Sequence, residues 1–162
     1  MSATRTRKAW SVSVRGYDGA SIEYAATAGK ARYEAYLSVS DCNDAVTFAD
    51  IRVLRERSAD ITFPPIPTEA TSVSKIALEK LLHACGVTRE RPEKCGYRSH
   101  FYCSSNNPQM LELVRAGLME STKKGWGEGN CYFHATALGQ TTALAMCPLY
   151  RGNDFAWPEV TA

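Results

Sequence analysis

The chain has 162 residues, a net charge of +2, 44% hydrophobic and 22% charged residues. This composition excludes wholesale disorder and fibrous repeats, and the length suits one ordinary domain or two small ones with a real core. No run approaches the roughly 18 consecutive apolar residues of a membrane span, and the polar, basic start over residues 1–8 does not read as a secretory signal. The expected setting is therefore a reducing cytoplasm, with the six cysteines as thiols and not as a disulfide framework.

After a basic tail (1–8), Trp10-Ser-Val-Ser-Val-Arg15 alternates with period two and predicts a half-buried strand. Tyr17-Asp-Gly19 marks a turn and Ile22–Ala25 a returning strand. Thr27 caps a helix with Ala28, Ala31, Ala35 and Val39 on one face, stopped at Asp41–Asp44. Asp50–Arg57 predicts a further strand, with Ile51 and Val53 on one face and Arg52 on the other. The order β-β-α-β over 9–62 is an α+β module. Three prolines within Pro64–Pro67 forbid a helix or central strand, so 63–73 reads as an extended linker.

In the unit 74–148, Ser74 caps a helix with apolar Ala77, Leu78, Leu81, Leu82 and Cys85, ended by Gly86. Val87–Cys103 is charged and aperiodic and predicts a long loop or one short helix. Asn107, Pro108, the set Met110, Leu111, Leu113, Val114, and the stop Gly117 give a fully capped helix. A strand from Leu118 to Thr122, a glycine-rich tip at Gly125–Gly129, a strand Cys131–His134 and a helix Ala137–Met146 capped by Thr136 complete the unit. Residues 149–162 form a C-terminal tail.

The run Leu113-Val-Arg-Ala-Gly-Leu-Met119, the glycine-rich tip, and Tyr132-Phe-His-Ala-Thr136 with Gly139 resemble the "L-x-x-x-G-L … y-x-x-T-x-x-G" signature of winged-helix proteins. The resemblance covers 107–144 and implies an α+β chain whose β-β-α-β module is followed by a winged-helix-like unit. The whole chain also resembles small proteins of bacteriophages and prophages in Gly29–Tyr33, Asp50–Val53 and Ala116–Met119. That implies a bacterial host cytoplasm. The resemblance makes a DNA-binding regulator the leading expectation, with a non-enzymatic inhibitor or accessory factor of a host or phage protein complex, such as a host-defence complex, as the alternative. A homodimer is compatible with either.

Charge supports the first expectation. Residues 9–62 hold six basic and eight acidic residues, whereas 74–124 hold nine basic and five acidic. The candidate contacts to DNA or a protein partner are Arg89, Arg91, Lys94, Arg98, Gln109, Arg115, Lys123, Lys124 and Trp126. Glu112, on the polar face of the candidate reading helix, would meet phosphate as a like charge. Trp126 either lids the core or anchors a partner. Cys95, His100, Cys103 and Cys131 are weak candidates for zinc, because their spacing lacks paired knuckles and residues three apart on a strand, as Cys131 and His134 are, face opposite ways. Cys85, Cys131 and Cys147 read as small core residues, and Cys42, Cys95 and Cys103 as loop thiols. No phosphate-binding loop or oriented nucleophile is evident, so neither an enzyme nor a cofactor is expected.

Overall fold

The computed structural model describes residues 5–88, 91–122, 127–152 and 158, which fold as two units, 5–63 and one beginning at Pro64. Helices and antiparallel sheets together make the chain α+β. Among the described residues, no helix is long and apolar enough to cross a membrane.

The first unit contains β1 (Thr6–Arg7), β2 (Ala9–Val14), β3 (Ser21–Tyr24), α1 (Ala28–Ser40), β4 (Ile51–Arg55) and β5 (Ile61–Thr62). The order of the main sheet is β3-β2-β4, antiparallel throughout, with Val12 opposite Val53 and Ser21. The Thr27 hydroxyl accepts from Lys30 N at 3.2 Å and starts α1, which buries Ala31 and Ala35 on the sheet. Val12, Ala35 and Ile51 form the core there, with Val14, Tyr36 and Val53 against it. Within the segment expected to be a basic tail, Thr6 and Arg7 instead begin the fold. β1 pairs with β5, and Arg7 is only 3% exposed, its guanidinium lying over Phe63 and Tyr24 at 5.0 and 5.8 Å from the ring centroids. Burying the stem of an arginine against rings while its charge meets π faces satisfies both parts of the side chain.

The second unit contains α2 (Lys75–Ala84), β6 (His100–Ser104), α3 (Pro108–Arg115), β7 (Met119–Ser121), β8 (Asn130–Ala135) and α4 (Ala137–Met146). The segment expected to be linker is extended only over its prolines. Thr68–Ser72 forms a 3-10 turn that buries Ala70. The aperiodic stretch 87–103 holds a 3-10 turn, Pro92–Lys94, and then strand β6, so Cys103 stands in a sheet and not in a loop. β6 was hidden because its outward residues, His100 and Tyr102, are themselves aromatic, which blurs the apolar-polar alternation.

The sheet order is β6-β8-β7, again antiparallel. Leu78, Leu81, Leu82, Met110, Leu113, Leu118, Met119 and Phe133 are buried in this unit. Both α2 and α3 end in a glycine with left-handed backbone, Gly86 at φ 89° and Gly117 at φ 72°. Each is followed by the paired bonds of a Schellman stop: Val87 N to Leu82 O and Gly86 N to His83 O, then Leu118 N to Leu113 O and Gly117 N to Val114 O.

Candidate nucleic-acid and partner interface

The charged side chains singled out in the second unit divide according to whether the fold itself uses them. Glu112, on α3, accepts from the backbone N–H of Ser74 at 2.5 Å and from its hydroxyl at 2.8 Å. It thereby joins the cap of α2, where an anion also complements the helix dipole. Arg98 is occupied as well. Its Nε and Nη2 both donate to the carbonyl of His83, the former at 3.1 Å, near the C-terminal end of α2. A cation there neutralises unsatisfied carbonyls. Burial, with help from Arg98 and Lys80, pushes the His83 imidazole below its ordinary value.

Arg91, Lys94 and Arg115 are exposed, and Gln109 is half-buried in the first turn of α3. Arg91 precedes and Lys94 ends the Pro92–Lys94 turn, which is anchored by the Cys147 thiol donating to Pro92 O at 3.0 Å. Arg89, Lys123, Lys124 and Trp126 lie outside the described residues.

The open face of the sheet carries a cluster that sequence reasoning missed. His100 faces His134, and Tyr102 faces Tyr132, in register across β6 and β8. The bonds Ala135 N to Ser99 O and Ser105 N to Gly129 O fix both pairs at non-hydrogen-bonded positions, where cross-strand side chains are closest. The ring centroids are 4.8 Å apart for the tyrosines and 6.0 Å for the histidines, and Tyr132 lies 6.0 and 6.2 Å from His100 and His134. Glu120, on β7, stands opposite His134. The signal that could have found this face is the pattern His-Phe-Tyr-Cys at 100–103 set against Cys-Tyr-Phe-His at 131–134: read antiparallel, the two place like beside like.

The four weak zinc candidates are not brought together. His100 points to the open face, whereas Cys103 and Cys131 point to the inner one and Cys95 caps the preceding turn. Among the described residues, no group of three or more His, Cys, Asp or Glu side chains is gathered to hold a metal ion.

Comparison with protein-family models, with curated proteins and with solved structures finds no match to this chain.

Proposed function

We propose that the chain is a small, non-enzymatic regulator of phage or prophage type that binds DNA through its second unit. The observation that carries this reading is the position of Glu112. The Glu112 carboxylate is held on the start of α2 by Ser74, which commits that charge to a cap within the fold, and the exposed cations Arg91, Lys94 and Arg115 remain for a backbone contact. Arg98 is withdrawn from that contact set because it caps α2.

The test is retardation of a mixed-sequence duplex at increasing salt. The intact chain retards DNA at about 50 mM salt, and the double variant Arg91→Ala/Lys94→Ala reduces the salt slope by about 2, one for each phosphate contact removed. Absence of retardation at low salt overturns the proposal.

A second reading, an inhibitor or accessory factor that occludes a host or phage protein complex, is favoured by the ring-bearing sheet face. Tyrosine is enriched at interface hot spots, and Tyr102 is 40% exposed. Under that reading, Tyr102→Ala and Tyr132→Ala abolish capture of a host protein, while Arg91→Ala/Lys94→Ala leaves it intact.

A further inference from the structure

Three features of the second unit lie outside the proposed function: the histidine pair on the open face, the buried thiols Cys85 and Cys147, and the pair Cys103 and Cys131. Only the last sets two groups of matched chemistry directly against each other on the inner face. Cys85 is buried, and its thiol is pushed up to about 11 by that burial. Cys147 is committed to the Pro92 carbonyl.

Cys103 on β6 and Cys131 on β8 are register partners. Because Ser99/Ala135 and Ser105/Gly129 are joined by backbone bonds, alternation makes 103/131 a hydrogen-bonded pair. Such pairs have Cα atoms about 5.5 Å apart. That Cα separation lies inside the roughly 4.4–6.8 Å window of a disulfide, while the Cβ atoms, about 5.5 Å apart at such a position, must close by about 1 Å, so the bond formed is strained and readily reduced. Burial first, and the neighbouring Cys131 second, raise the Cys103 thiol above its ordinary value while the Lys80 ammonium opposes them, and burial raises the Cys131 thiol in the same sense. Cys103 is half-buried and Cys131 is buried, which gives the pair an accessible attacking group and a shielded resolving group.

We propose that Cys103 and Cys131 are a modification site at which a low-molecular-weight disulfide of the glutathione type closes a reversible cross-strand disulfide. The Cys103 thiolate attacks one sulfur of glutathione disulfide, breaking its S–S bond and releasing one glutathione thiolate. Cys131, deprotonated in turn, attacks the Cys103 sulfur of the mixed disulfide and expels the second glutathione. The two protein thiols lose two electrons and two protons, and one glutathione disulfide becomes two glutathione thiols. The product ties edge strand β6 to β8, and with it the end of the Arg91–Arg98 segment that leads into β6.

The test uses the full chain equilibrated in buffers of graded reduced and oxidised glutathione, quenched with acid and alkylated. The expected result is loss of two of the six thiols in one step, a mass lower by two hydrogens, and a tryptic link between peptides 99–115 and 125–151. Fragmentation of that link assigns it to Cys131 and not Cys147. Cys103→Ser abolishes the two-thiol loss, dithiothreitol reverses it, and Cys42→Ser leaves it unchanged. Cys103 is only half-buried, so its variant keeps the fold testable should Cys131→Ser fail to fold. A link through Cys42, Cys95 or Cys147, or an unchanged thiol loss in Cys103→Ser, overturns the proposal, as does retention of all six thiols under fully oxidising conditions.

Discussion

Individual charges in this protein do two kinds of work that look the same in a sequence. Arg98 and Glu112 close the two ends of one helix. Arg55 and Asp60 similarly clamp the start of β2: Asp60 accepts from Arg55 Nη2 at 2.5 Å and from the Ala9 N–H at 2.9 Å, while Arg55 Nη1 donates to the Ala9 carbonyl at 2.7 Å. The Arg55 bond first, and the Ala9 bond second, hold the Asp60 carboxyl below its ordinary value of 3.8. A group whose folded value is depressed contributes stability that is present above its unfolded value and lost as pH falls through the folded one. The first unit should therefore lose stability on acidification below about pH 4, and Asp60→Asn should flatten that part of the profile. Thermal melts from about pH 5 to about pH 3 check this; an unchanged acid limb in the variant would assign the loss to other carboxylates. Asp50, bonded to Thr47 and held down in the same sense, supplies a second such group.

At the scale of elements, a motif made of Gly117, Leu118, Thr136 and Gly139 meets in space. The Thr136 hydroxyl donates to the Gly117 carbonyl at 2.7 Å and its N–H to Leu118 O at 3.1 Å. Gly139, three residues into the next helix, lies so close to Leu118 that a Cβ there would stand 1.9 Å from its carbonyl oxygen. The motif thus latches the end of α3 to the start of α4, and its glycine provides room for one backbone to approach another. Gly139→Ala should cost about 1–3 kcal/mol, the usual range for forced overpacking, measured by denaturant unfolding. A neutral result would mean that α4 can shift away without loss.

This latch also shows what the sequence reveals. Caps and stops are local, so Thr27, Ser74, Asn107 and Thr136 could be placed from spacing alone, and the structure has each hydroxyl or amide oxygen accepting where expected. Strand β6 depends on a partner some thirty residues away and carries aromatic residues on both faces, Phe101 inward and His100 and Tyr102 outward, so nothing local distinguishes it. Glu112 and Arg98 were legible as charges but not as caps, because the groups they satisfy belong to a different segment.

Across the whole molecule, each unit has its own sheet and its own apolar core, so damage to one should remain in it. Phe133 is fully buried in the second unit. Its replacement by Ala should destabilise that unit by about 3–5 kcal/mol, while amides of β2 and α1 keep their hydrogen-exchange protection. Collapse of protection in both units would show that they unfold as one.

Strand order has a further consequence for how the chain acquires its second sheet. β8 is the central strand, and β6 and β7 are bonded to it and not to each other. A nascent chain that has emerged only as far as Thr122 holds both outer strands with no ladder to join, and the sheet assembles when Asn130–Ala135 arrives. A premature stop before Asn130 would therefore cost far more than the distal residues it deletes, leaving two unpaired edges and an exposed core for proteases and chaperones to meet.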